Sequence, residues 1–336
     1  MTLRPPYLTA RRLAATTAVL AALLMLSIAG AMLVGPVAAS LRRALVDPES
    51  ADRVILFRTR LPRVLLGAVV GGSLGTSGAA LQALLANPLA CPHLLGISGG
   101  AAVGGVLALI AGAEAITAVA PLAAFAGALV AIGVVYLAAR AGGRSTPYAL
   151  LLVGVVFNVL ASAAIMLLNV IASYAQAHGV LFWLMGSLSG QSWGLIAAAG
   201  AYALAGLAWL AAHAQDLNLL AAGEEGAAEL GVDVERARRA VFVAASLLVG
   251  AAVSVSGMIS FVGLIVPHLI RLVLGADHRL LLPASFLGGA AFLVWADALA
   301  RTALAPAELP VGVVTALLGG PFFLFLLRRE LGRGAS

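Results

Sequence analysis

With 336 residues, 62% of them hydrophobic and only 10% charged, the chain departs from soluble domains, in which about a quarter of residues carry charge, and its mean hydropathy of +1.07 puts most of it in a bilayer. All 20 basic residues are arginine. A phosphate-binding loop of the G-x-x-x-x-G-K-S/T type needs its lysine, so an ordinary nucleotide site is excluded and any ATP drive must come from another subunit. The single cysteine, Cys91, excludes an intramolecular disulfide.

A helix needs about 20 apolar residues to cross the hydrocarbon layer. Runs of that order predict spans at 13–40, 64–85, 96–113, 116–139, 148–171, 193–214, 240–256, 259–275, 281–300 and 311–327, an all-α polytopic membrane protein of ten transmembrane helices. The first run is too long, and too poorly followed by a cleavage pattern, for a signal peptide, so it reads as a retained span. An even number of spans puts both termini on one side. Arg4, Arg11 and Arg12 at one terminus, with Arg328, Arg329 and Arg333 at the other, nominate the cytoplasm by the positive-inside rule. Glycine and alanine crowd the spans, as in GAVVGGSLGTSGAAL from Gly67 to Leu81, which lets helix backbones approach closely.

Alternation of the spans then places thirteen arginines inside and seven outside. Six of the outer seven, Arg42, Arg43, Arg53, Arg58, Arg60 and Arg63, share the periplasmic segment 41–63, and Arg301 ends the ninth span. A local breach of the charge rule asks for a partner. Lipid phosphates would satisfy an amphipathic surface segment, an open reading for Arg42 and Arg43. Arg60 and Arg63, around Leu61-Pro62 at the mouth of the second span, point instead to docking.

Polar groups within the membrane are costly and tend to mark pathways. Here the candidates are Gln82, Asn158, Asn169, His268 and Asp297. They show no metal-ligand spacing, no nucleophile-base arrangement and no relay of ionisable groups, which disfavours an intramembrane enzyme. His268 reads as a helix-terminal residue bonded to backbone, and Asp297 is four residues from Arg301, so it pairs with it along one helix face or serves transport.

Six of the fourteen carboxylates lie between Asp216 and Glu235, in the longest inner loop, 215–238. LNLLAAGEEGAAELGV (Leu217 to Val232) predicts two short helices broken at Gly223 and ended by Gly231, with Leu219, Leu220, Leu230 and Val232 exposed. Exposed apolar groups beside acids describe a docking surface.

These residues also carry a resemblance over nearly the whole chain. RLPRVLLGAVVG (Arg60 to Gly71), LQALLANPLACPHLLGISGGA (Leu81 to Ala101), LFWLMGSLSGQSW (Leu181 to Trp193), the acidic stretch, SGMISFVGLIVPHLIRLVLGADHRLLLP (Ser256 to Pro283), ADALART and PAELPVGVVTALLGGPFF (Ala296 to Phe323) occur in order. The sequence resembles the FecCD-type permeases, membrane subunits of type II ABC importers for iron-siderophores, haem and vitamin B12. The resemblance implies a homodimer in the bacterial inner membrane, with both termini cytoplasmic and a path on the two-fold axis. It also implies two cytoplasmic ATPase subunits, which would hold ATP and Mg, and a periplasmic substrate-binding protein; no cofactor, metal or nucleic acid belongs to this chain. Leu217, Leu220, Gly223, Glu224, Glu225, Leu230 and Gly231 match the family's ATPase-coupling helices. Arg60, Arg63 and Arg301 match arginines that receive carboxylates of the binding protein. Asn87, Pro88 and Leu89 with Ser145 and Thr146 match the cytoplasmic gate. Two departures are local: Cys91-Pro92-His93 replaces a frequent acidic-Pro pairing, and Met258 stands where proline is common.

The expected function is therefore inward movement of a metal chelate by alternating access. An ion-gradient-driven secondary transporter is the alternative, disfavoured by the shortage of embedded ionisable residues. The choice among siderophore, haem and cobalamin stays open.

Overall fold

The computed structural model describes residues 8–112, 118–141 and 144–334. Arg4 lies outside them, as do residues 113, 116 and 117 at the edges of two expected spans.

All ten expected spans contain a helix. In chain order the helices are α1 (Ala10–Leu33), α2 (Leu41–Val46), α3 (Ala51–Arg53), α4 (Leu61–Leu84), α5 (Ile97–Ile110), α6 (Val119–Ala138), α7 (Pro147–Ile171), α8 (Tyr174–Leu184), α9 (Trp193–Ala212), α10 (Ala214–Ala222), α11 (Glu224–Glu229), α12 (Val234–Ser256), α13 (Val262–Leu274), α14 (His278–Thr302) and α15 (Val311–Gly334). Among the described residues seven helical stretches are long and apolar enough to cross a membrane. Three shorter apolar helices, Ile97–Ile110, Val262–Leu274 and Val311–Phe325, complete the ten. Among the described residues there is also a two-residue antiparallel pairing of Arg140–Ala141 with Arg144–Ser145.

Three boundaries differ from expectation for identifiable reasons. The first span stops at Leu33 rather than 40, because Pro36 disfavours the α conformation of the residue before it and Val34 is already extended. Segment 41–63 is not one surface helix: a helical run from Ala51 passes through a π-wound stretch, Val54–Arg60, straight into α4. The Leu61 N–H bonds back to the Leu56 carbonyl, an i to i−5 step that lets the run continue into Pro62. Helix α8 was not among the expected elements. Ser173 and Gln176 close a capping box at its start, and the Gln176 side chain donates to the Ile110 carbonyl at 2.9 Å.

Helix α4 is the core of the bundle, buried along nearly its whole length against α14, α12, α13 and α9. Its glycines make this possible. A Cβ on Gly71 would sit 2.2 Å from the Gly289 carbonyl oxygen, and one on Gly289 would sit 2.3 Å from that of Gly71; only two glycines permit the α4–α14 contact. Helices α1, α7 and α9 instead keep broad exposed apolar faces, with Met25, Leu26, Leu160, Met166, Leu204 and Trp209 outward, as expected of walls that meet lipid.

Candidate functional site

The residues expected to carry function gather at the two ends of the bundle. At one, here the loop end, α10 and α11 form the predicted pair of short helices. Gly223 between them has φ 133° and Gly231 after them has φ 87°, conformations that side-chain-bearing residues rarely adopt. Glu224 and Glu225 occupy the first turn of α11, where carboxylates complement the exposed N–H groups of the helix.

The apolar residues of this hairpin correct the sequence reading. Leu217 is fully buried and Leu220 nearly so, whereas Leu230 is 71% exposed. Leu220 packs with Ala227 and Ala237, and Leu219, Val232 and Val234 close around them. Two short helices without a core of their own would not hold, so most of the apolar groups are spent on folding the hairpin onto the start of α12. The outward surface is Gly223, Glu224, Glu225, Glu229, Leu230 and Gly231.

Two polar fastenings, neither expected from the sequence, join this hairpin to the bundle. The Asn218 side chain of α10 donates to Asp277 at 3.0 Å and accepts from the His278 backbone N–H at 2.8 Å, at the α13–α14 turn. Hydrogen bonds from Arg279, reinforced by Asn218, hold the Asp277 carboxyl down at about 2. The second fastening is Arg238 of α12, only 4% exposed. Its guanidinium pairs with Glu224 at 2.5 Å and with Glu235 at 3.3 Å, and donates to the Ser145 carbonyl. The burial of Arg238 could not be read from spacing.

Ser145 is fully buried and its hydroxyl donates to Glu235 at 3.1 Å. Thr146 is exposed and caps α7 by accepting from the Ala149 N–H. The other segment expected to form the gate turns sharply after α4: Ala86 has φ 45°, the Leu89 N–H donates to the Asn87 side chain at 2.9 Å, and Pro88 and Leu89 line a crevice with His268, Phe322 and Phe323. Ser145 and Thr146 share neither this crevice nor a hydrogen bond with Asn87–Leu89 among the described residues. Beyond that turn, Pro92–Leu95 form one 3₁₀ turn, and the Asn158 side chain of α7 secures it by donating to the His93 carbonyl at 2.7 Å. Gln82 is likewise engaged, donating to the Gly263 and Leu264 carbonyls and accepting from Arg271 at 2.8 Å.

At the opposite end the three arginines are brought together, but face inward. Arg60 and Arg301 are 4% and 3% exposed. Arg60 donates to the carbonyls of Met32, Leu33 and Val37; Arg301 donates to those of Ala31 and Val34 and pairs with Asp297 at 3.0 Å. Arg63 pairs with the same Asp297 at 2.9 Å and with Glu308 at 2.7 Å. All three are expected to receive an external carboxylate; in this structure the donors of Arg60 and Arg301 are taken up by acceptors of the chain itself. A buried guanidinium requires acceptors inside the fold, and the carbonyls freed where α1 ends supply them. Arg63, at the rim beside the half-exposed Glu308, is the one that borders solvent. The i, i+4 pairing of Asp297 with Arg301 is as the spacing implied.

Comparison with known proteins agrees with this architecture. The model of the FecCD transport family matches residues 18–329. The cobalamin import system permease protein BtuC of Halobacterium salinarum is 50% identical over 84% of this chain and 75% of its own length. The hemin transport system permease protein HmuU of Yersinia pestis is 44% identical over 82% and 84% respectively. Among solved structures, a metal-chelate type ABC transporter in an inward-facing conformation superimposes with a TM-score of 0.84 at 32% identity, over 94% of this chain and 99% of that one. With a fold, a set of ordered motifs and a family match that each span nearly its full length, the chain belongs to the FecCD transport family.

Proposed function

We propose that this protein is the membrane subunit of an ATP-driven importer that passes a metal chelate inward. The observation that carries the reading is the acidic hairpin α10–α11. It presents Glu224, Glu225 and Leu230 outward while Asn218 and Arg238 tie it to the α13–α14 turn and to the α7 entrance. A lever that receives force from a partner needs such an arrangement: an exposed contact surface and short polar links to moving helices. The partner is an ATPase supplied as a separate chain, since a lysine-free sequence holds no Walker loop; ATP and Mg reside there.

In this reading the loop end is cytoplasmic, as are both termini, and the arginine end faces the periplasm of a bacterial inner membrane. A second copy of the chain completes the path, with Asn87, Pro88 and Leu89 closing it on the cytoplasmic side. A binding protein delivers cargo at the opposite end, where Arg63 is the arginine placed to exchange Glu308 for a partner carboxylate; Arg60 and Arg301 hold the platform together. The named relatives favour a cobalamin- or haem-type macrocycle as cargo over a siderophore. The secondary-transport alternative loses further support: Asp297 is neutralised by two arginines, and such a carboxylate does not serve as a proton or ion carrier without breaking both pairs.

Reconstitution into proteoliposomes with the ATPase and binding protein tests this. Uptake of radiolabelled cobalamin or haem should require ATP and the binding protein, and should persist when ion gradients are collapsed with ionophores. Uptake that follows the gradient, without ATP, would falsify the proposal.

A further inference from the structure

We infer that the groove between α9 and α12 at the loop end is a binding site for one anionic phospholipid. The groove encloses about 600 Å³. Its floor and walls are apolar, formed by Tyr202, Gly206, Val243, Ala244 and Leu247, and its mouth carries Arg236 and Arg239 with Trp209 beside them. From Arg236 to Leu247 it runs about 16 Å along the helix axis at about 1.5 Å per residue, a depth suited to much of an acyl chain in one leaflet.

Charge selects the occupant. Arg236 and Arg239 are exposed, and neither guanidinium makes a side-chain hydrogen bond or ion pair among the described residues, in contrast to Arg238 between them. The nearest carboxylates in sequence are engaged elsewhere. Asp233 caps α12 by accepting from the Arg236 backbone N–H, and Glu235 is held by Ser145 and Arg238. Two unneutralised guanidiniums one helical turn apart, at the polar rim of an apolar groove, match a phosphodiester above an acyl chain: the planar donors of arginine bind phosphate oxygens bidentately, and basic pockets between transmembrane helices take anionic headgroups. Trp209 is half exposed at the same level, where an aromatic ring marks the boundary between headgroups and hydrocarbon.

The site is testable on the complete chain with its ATPase. Native mass spectrometry of delipidated complex, titrated with phosphatidylglycerol or with phosphatidylcholine of the same acyl chains, should show one phosphatidylglycerol retained with about tenfold or greater preference, the scale expected of two juxtamembrane charges. The double variant Arg236→Gln/Arg239→Gln should lose that preference, and Arg236→Lys/Arg239→Lys should recover most of it. Ala244→Phe, which fills the groove and leaves both arginines in place, should lower retention of both lipids. Unchanged preference in the glutamine variant overturns the inference, as does unchanged retention in the groove-filled variant. It is also overturned if the glutamine variant loses its ATPase or its second copy while keeping the lipid, which would make the arginines part of a protein interface.

Discussion

Arg238 and Glu224 form an ion pair of 2.5 Å between the start of α12 and the start of α11, and the same guanidinium donates to the carbonyl of Ser145. One side chain thus joins the acidic hairpin to the segment that leads into α7. Removing it leaves the Ser145 carbonyl without this donor and leaves Glu235 without its cation. Breaking a buried pair costs about 3 to 5 kcal/mol, less here because Glu224 is about half exposed. Arg238→Ala should therefore lower thermal stability modestly, and its complex with the proposed ATPase should still hydrolyse ATP with transport reduced by about tenfold or more. Arg238→Lys keeps the charge without the fork and should fall between. Equal loss of hydrolysis and transport would count against a coupling role.

Leu230 and Leu220 allow the proposed docking to be tested apart from folding. Leu230 is exposed and Leu220 buried, so Leu230→Asp should abolish co-purification with the ATPase while leaving the melting temperature near wild type, since a few apolar anchors dominate most interfaces. Leu220→Ala removes core volume and should destabilise by about 2 kcal/mol or more. Should Leu230→Asp retain the ATPase at full stoichiometry, the docking surface lies elsewhere.

Asp297 is the shared acceptor of Arg63 and Arg301. Asp297→Asn leaves the buried Arg301 without its counter-charge and Arg63 with Glu308 alone, and should cost about 3 to 5 kcal/mol, read as a fall in melting temperature in detergent. Glu308→Gln affects only a half-exposed pair and should change stability by less than about 1 kcal/mol. Arg63→Ala should weaken binding-protein affinity in nanodiscs, and more so at low salt. Arg60→Ala should act on stability instead, because its donors are occupied by the carbonyls at the end of α1.

These contrasts mark where the sequence was legible. Ten apolar runs and the breaks at Gly223 and Gly231 follow from period, length and turn chemistry, which are local. The direction in which a long side chain turns is not local. Arg60 and Arg301 looked like external charges because spacing cannot reveal that α1 ends beside them with free carbonyls. Leu220 looked exposed because its partners, Ala227 and Ala237, are small and distant in chain. Asn218 gave no signal at all: a lone asparagine in an apolar helix gains meaning only when the α13–α14 turn is brought to it. The Asp297–Arg301 pair was readable because four residues on a helix fix the geometry.

Asp277 ties that turn together, and its depressed pKa makes the contribution pH-dependent. Its folded value is about 2 against an ordinary 3.8, so the stabilisation is fully present above about pH 4 and is lost as pH falls toward 2. The gap in melting temperature between wild type and Asp277→Asn should accordingly be constant from pH 7 to 5 and shrink below about pH 4. A gap that stays constant through that range would show that ionisation of Asp277 does not contribute to stability.

Leu89 tests the gate. The turn Asn87–Leu89 is held by its own hydrogen bonds and lies against Phe322 and Phe323 of α15, where the proposed path shared with a second copy would be closed. In a Cys91→Ser background, which removes the only native thiol, Leu89→Cys should cross-link between two copies in at least one nucleotide state of the ATPase, and the yield should change between ATP-bound and nucleotide-free samples. Thr146→Cys, at the exposed cap of α7, should cross-link less if the narrow point is formed by the first turn alone. Absence of any Leu89→Cys cross-link in every state would remove this turn from the gate.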